Sequence, residues 1–102
     1  MKQNDYPKLI LPEWFDERME DEAPMRGYLS HLQAELENGE RYLLFFIDSI
    51  RLNQELEMQT KSGRPYFAEQ GMVVLPEVTV EKAKEVLKQL LKNGFFERLK
   101  PL

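Results

Sequence analysis

Between His31 and Leu36 apolar and polar residues alternate, with Leu32, Ala34 and Leu36 on one side and His31, Gln33 and Glu35 on the other. This period of two, within Tyr28 to Leu36, predicts a half-buried strand. Asn38-Gly39 follows. It is the strongest two-residue hairpin signal, because both central positions of a type I′ turn need positive φ. Arg41 to Ile47 is then the return strand, and its pattern is different. Tyr42-Leu43-Leu44-Phe45-Phe46-Ile47 is six apolar or aromatic residues in a row. A sheet with one wet face gives alternation, so both faces of this strand are expected to be covered.

Later in the chain the period lengthens. Val80, Ala83, Val86, Leu87, Leu90 and Leu91 form one apolar face at helical spacing, opposite Lys82, Lys84, Glu85, Lys88 and Lys92, and predict a helix over about 80–93. Thr79 is its expected N-cap. Asn93-Gly94 is its expected stop, with Phe95 placed for the Schellman contact to Leu90. Asp48 suits the N-cap of a second helix over about 49–58. Its apolar residues Ile50, Leu52 and Leu56 are sparse, so it belongs on the surface. Lys61 to Pro65 reads as a loop. Tyr66-Phe67-Ala68 and Met72 to Leu75 read as two strands or one interrupted strand, ended by Pro76. Near the start, Leu9-Ile10-Leu11 is stopped by Pro12, which suits the first turn of a short helix from Glu13 to Met19 carrying Trp14 and Phe15. Glu20-Asp21-Glu22 then reads as an acidic break before Pro24.

These elements predict one α+β domain over residues 1–102. It has two layers: a mostly antiparallel sheet of three to five strands, with the two main helices (about 49–58 and 80–93) on one face. Residues 1–24 form an acidic, partly mobile arm, and the first few residues are its freest part.

A two-residue turn at Asn38-Gly39 fixes the register. Leu32, Ala34, Leu43, Phe45 and Ile47 then form the core side, under the helices. The other side pairs His31, Gln33 and Glu35 with Phe46, Leu44 and Tyr42, since directly opposed residues share a face. This mixed surface makes Tyr42, Leu44, Phe46, His31 and Gln33 the candidate protein-interaction residues. Three covers fit it: the N-terminal arm with Leu9, Ile10, Trp14 and Phe15; a second copy of the chain; or a different protein or ligand. A turn longer by one residue would swap the two faces.

Composition narrows the chemistry. The chain has no cysteine, hence no disulfide or thiolate, which suits a reducing cytoplasm. The first residues have no apolar signal-peptide core, and no run approaches the roughly 18 apolar residues that span a bilayer. Net charge is −4, with seven acids against three bases in residues 1–24 and six bases against four acids in residues 76–102. That balance argues against nucleic acid as the partner. His31 is the only histidine, and no metal-ligand spacing surrounds it. No nucleophile elbow or phosphate-cradling glycine loop is present. Asp16, Glu17, Glu20, Asp21 and Glu22 lack the spacing and mid-loop glycine of a calcium loop. No catalytic residue, cofactor or metal is therefore expected.

From Arg41 onward, Tyr42 to Ile47, the segment Asp48-Ser49-Ile50-Arg51-Leu52-Asn53-Gln54-Glu55-Leu56, Met72 to Leu75, and Thr79 to Asn93 resemble bacterial immunity proteins of polymorphic toxin systems. There a hydrophobic strand leads into a short helix, a strand and a C-terminal amphipathic helix. The Asn-Gly hairpin and Leu75-Pro76-Glu77-Val78-Thr79 resemble small cyanobacterial proteins of uncharacterised function. The first resemblance implies a non-enzymatic binder, whose acidity would suit a basic toxin. The expectation is thus a cytoplasmic protein-interaction domain, monomer or homodimer. The alternative of another class is a small-molecule-binding protein or enzyme using His31 and nearby acids.

Overall fold

A computed structural model gives residues 5–102. The elements run β1 (Lys8–Ile10), α1 (Glu17–Arg26), β2 (Tyr28–Glu35), β3 (Arg41–Ile47), α2 (Ser49–Lys61), β4 (Met72–Val74), α3 (Val80–Lys92) and a final 3-10 turn, Phe96–Arg98. The fold is α+β, on one open four-stranded sheet in the order β1-β2-β3-β4. The first two pairings are antiparallel. The third, β3 with β4, is parallel and needs the crossover that α2 supplies. The expected mobility of the first few residues concerns positions outside 5–102.

The hairpin register differs from expectation by one residue. The Leu36 N–H donates to Glu40 O at 2.8 Å, and the Gly39 N–H donates to Leu36 O at 2.9 Å. The loop is therefore three residues, Glu37-Asn38-Gly39, with Gly39 in the left-handed region at φ 89. The Asn38 side chain favours this form by accepting the Glu40 N–H at 2.9 Å. Leu32 now faces Leu44, and Ala34 faces Tyr42. Tyr42, Leu44 and Phe46 are consequently buried, together with Leu29, Leu32 and Ala34, in the core. The expectation that these three form an interaction surface is overturned. Leu43 and Phe45, expected in that core, lie half-buried on the second face, and Ile47 is buried from that same side.

Ala23 of α1 and Val80, Ala83 and Leu87 of α3 complete the core, closed by Leu75, Val78 and Phe96. The arm joins this layer: Leu9, Leu11 and Phe15 pack against it. Asp16 caps α1 through the Met19 N–H. The helix runs on through Glu20-Asp21-Glu22, where a break was expected. Arg18 and Arg26 both pair with Glu22 at helical spacing, and this draws the Glu22 carboxyl below its usual range, chiefly through the Arg18 hydrogen bond. Pro24 falls in the last turn, where the missing N–H costs one helical bond.

Asp48 and Thr79 cap α2 and α3 as the sequence predicts. The α3 stop is a Schellman motif, with Phe95 N–H donating to Leu90 O at 3.0 Å and Gly94 N–H to Leu91 O at 3.2 Å. α2 is longer than expected and buries no residue. It shares nothing with the core beneath α3. Its Arg51 reaches instead over Tyr28, which belongs to the opposite face. Tyr66-Phe67-Ala68 forms no strand. Gly71 explains where β4 starts: its φ is 70, its carbonyl accepts the Phe45 N–H at 3.0 Å, and a Cβ there would run into the Leu43 carbonyl oxygen.

Phe46→Ala is expected to lower the unfolding free energy by about 3–5 kcal/mol, and Leu43→Ala by about 1 kcal/mol. Urea unfolding of the two variants reads the register directly, and a larger loss for Leu43→Ala would reverse it. Burial, and then the Glu40 carboxylate that accepts its hydroxyl, push the Tyr42 phenol up. The unfolded chain then gives up this proton first. The associated stability is whole below the ordinary phenol value of about 10 and is lost as pH rises through the higher folded value. Urea midpoints from about pH 8 to about pH 11 should fall at the alkaline end, and Tyr42→Phe should flatten that fall.

Candidate functional site: an aromatic cleft at a strand bulge

Leu29 pairs with Phe46, but Leu32 pairs with Leu44. Three steps on β2 thus match two on β3, which leaves Ser30 and His31 together opposite Phe45, a β-bulge. The bulge lets Leu29 and Leu32 both reach the core although they stand three apart. His31 absorbs the extra residue with φ 65. A left-handed conformation costs a residue with a Cβ about 1–2 kcal/mol, and histidine is among the residues that tolerate it better than most. Ser30 Oγ lies 3.0 Å from His31 Nδ1. The Trp14 ring meets the imidazole edge-on, with centroids 5.8 Å apart and planes at 73°.

Three depressions converge on this bulge. The largest, about 300 Å³, is lined by Tyr28, Phe45 and Ile47 of the sheet, Arg51 and Glu55 of α2, and Phe67 and Glu69 of the crossover's return. A second, about 150 Å³, reaches toward Trp14, Met19 and Arg26. A third, about 140 Å³, reaches toward Leu43 and Gln70. Ser30 and His31 belong to all three.

The rings form a chain. Phe45 lies 6.3 Å from Tyr28 and 6.0 Å from Phe67, centroid to centroid, within the range of favourable aromatic pairs. The Arg51 guanidinium sits 4.9 Å from the centre of the Tyr28 ring, a cation–π distance. It also pairs with Glu55 at 2.8 Å. Glu69 makes no ion pair among the described residues. Trp14, which lines the second depression, is 56% exposed, and Tyr66, next to Phe67 in the chain, is 60% exposed.

Of the five interaction residues expected from the sequence, the structure keeps two on the second face. His31 lies in the cleft. Gln33 lies beside it, between Ile10 and Leu43. Tyr42, Leu44 and Phe46 are on the core side. Phe45, Tyr28, Phe67, Arg51 and Glu69 were not among the expected site residues. The signal for the bulge is the pair Leu29 and Leu32, both apolar at a spacing that a regular strand would split between faces. Arg51 and Glu69 carry no comparable signal.

The cleft sets the Tyr28, Phe45 and Phe67 rings beside the Arg51 guanidinium and the Glu55 and Glu69 carboxylates. His31 makes its recorded hydrogen bond to Ser30, and no carboxylate bonds to it among the described residues. No group of three or more metal-ligating side chains occurs among them. No helix among them is long and apolar enough to cross a membrane. These features define a small α+β domain with an open aromatic cleft on the less covered face of a mixed sheet. No protein-family model matches the chain, and no curated protein or solved structure is similar to it.

The strain at His31 has a measurable consequence. His31→Val should lower stability by about 1–2 kcal/mol, because a β-branched residue resists positive φ. His31→Gly should hold or raise it despite the lost contact with Trp14. Denaturant midpoints decide the matter, and equal losses in both variants would mean that the strand is regular there.

Proposed function

We propose that this chain is a non-enzymatic, cytoplasmic protein-recognition domain that binds through the second face of its sheet. The observation that carries the reading is the cleft of about 300 Å³ whose lining joins Tyr28, Phe45 and Phe67 to Arg51. Aromatic residues and arginine are the residues that dominate binding energy at protein interfaces. The partner is a protein that offers an apolar or aromatic side chain beside a cationic group. The apolar group enters the cleft and lies against Phe45 and Phe67, and the cation meets Glu69. The net charge of −4 favours such a basic partner. Neutralisation of a basic toxin, the role implied by the resemblance to immunity proteins, is a special case of this reading.

The rival of another class draws on the same cleft, since Glu69 and Glu55 line it together with His31. Against it, Glu55 is engaged by Arg51, and His31 bonds to Ser30, with no carboxylate to orient it.

Titration of isotope-labelled protein with N-acetyl-phenylalaninamide and with an amidated Arg-Phe dipeptide tests the proposal. Both should shift amide signals around Tyr28, His31, Phe45 and Phe67, with the dipeptide binding more tightly. Phe67→Ala should weaken the dipeptide about tenfold, and Glu69→Gln should remove the advantage of its cation. Shifts scattered over the surface, or none, would sink the proposal. A molecular mass that doubles with concentration and reverts in Phe67→Asp would replace the foreign partner by a second copy.

A further inference from the structure

β1 is an edge strand, with β2 on one side only. Between it and α3 lies a groove of about 440 Å³. Pro7, Leu9 and Ile10 give this groove its apolar lining. Lys8, Lys84 and Lys88 bring three ammonium groups to it, and Asp5 brings one carboxylate. All four ion pairs among the described residues are made by arginines, so none of these lysines is held in an ion pair there; the Lys8 ammonium sits 4.9 Å from the centre of the Tyr6 ring. Glu81 and Glu85 stand three positions before Lys84 and Lys88 on the same helix and close no ion pair with either.

We infer that this groove receives an extended acidic segment of a partner protein, which joins the sheet as a fifth strand beside β1. An edge strand presents backbone donors and acceptors that an extended peptide can complete. Leu9 shares the core side with Ala34, where α3 lies, whereas Lys8 shares the opposite side with Glu35. Successive side chains of an added strand point to opposite faces. They would therefore meet Lys84 and Lys88 on one face and Lys8 on the other. Lys84 and Lys88 are four residues apart, about 6 Å along the helix axis. Alternate residues of a strand are about 6.8 Å apart, so two acids separated by one residue match the two lysines. A second copy adding through its own β1 would set its three lysines against these three, and like charges across a seam oppose pairing. The same lysines that discourage self-association thus select an acidic strand. The site is separate from the aromatic cleft, and neither reading needs the other.

The probes are a capped peptide of alternating glutamate and valine, its lysine-valine counterpart, the glutamate-valine peptide methylated on alternate backbone nitrogens, and inorganic phosphate. The first should cause saturable shifts at the amides of Lys8, Leu9 and Ile10 and weaken as salt is raised. The double variant Lys84→Glu, Lys88→Glu should weaken it at least about tenfold. Both positions are exposed, and a circular dichroism spectrum unchanged in the variant shows that the fold is kept. The lysine-valine peptide should not bind. Three results would overturn the inference: no shift at about 1 mM peptide, affinity unchanged in the double variant, or the same shifts from the methylated peptide or from phosphate. The last would leave a loose anion patch in place of strand addition.

Discussion

Two hydrogen bonds close the loop between Leu36 and Glu40, and they decide which half of the sheet's side chains becomes the core. Side chains of a strand alternate, so a loop of three residues instead of two exchanges the faces of the whole return strand. With the observed loop, Tyr42, Leu44 and Phe46 enter the layer of α1 and α3. Phe45 and Leu43 are left to the other side. The bulge at Ser30–His31 is a second one-residue insertion, and it has the same kind of effect on β2. Without it, Tyr28 would turn to the core and Leu29 would turn away. Each insertion moves an aromatic residue across the sheet. Together they place Tyr28 and Phe45 on one face and Phe46 on the other.

The cleft follows from how unevenly the two faces are covered. The core face carries α3, whose Val80, Ala83 and Leu87 are buried. The second face has α2, which buries nothing. A helix of this length is marginal when isolated. Here it rests on its Asp48 cap, on the Arg51–Glu55 pair and on the parallel pairing of β3 with β4 that it bridges. Elements with little buried apolar surface occupy the low end of local stability. The wall of the cleft formed by Arg51 and Glu55 is thus its most adjustable part, while the floor formed by Tyr28 and Phe45 belongs to the sheet. The proposed recognition role would draw on that division, with the floor setting the shape and the wall adapting to what enters.

The legible parts of the fold were those specified by local chemistry. α3 needs only its apolar period, the Thr79 hydroxyl and the Asn93-Gly94 stop, and all three behave as the residues imply. The Asp48 cap is equally local. What could not be read depended on choices that the residues leave open. Asn38-Gly39 is compatible with both loop lengths, and a single side-chain hydrogen bond from the Glu40 N–H to Asn38 distinguishes them. α1 was hidden because Glu20-Asp21-Glu22 reads as a solvated break, whereas Arg18 and Arg26 on the same helix face neutralise Glu22. β1 has three residues, too few for a period to show. The candidate site was hidden for a further reason: it is the complement of the core face, so an error of one residue in the loop moved the expected site into the interior.

Charge needs the same local reading. The sum is −4, yet acids and bases are not spent alike. Arg18, Arg26, Arg41 and Arg51 each hold a glutamate, as suits a planar group with several fixed donors. The lysines hold none among the described residues, and three of them gather where β1 meets α3. A compact, strongly hydrated ammonium on a flexible stem loses little by staying in water. An acidic chain can therefore keep a locally positive edge at little cost to its own stability. The sign of that edge, and not the sign of the total, sets which extended segment could be admitted beside β1.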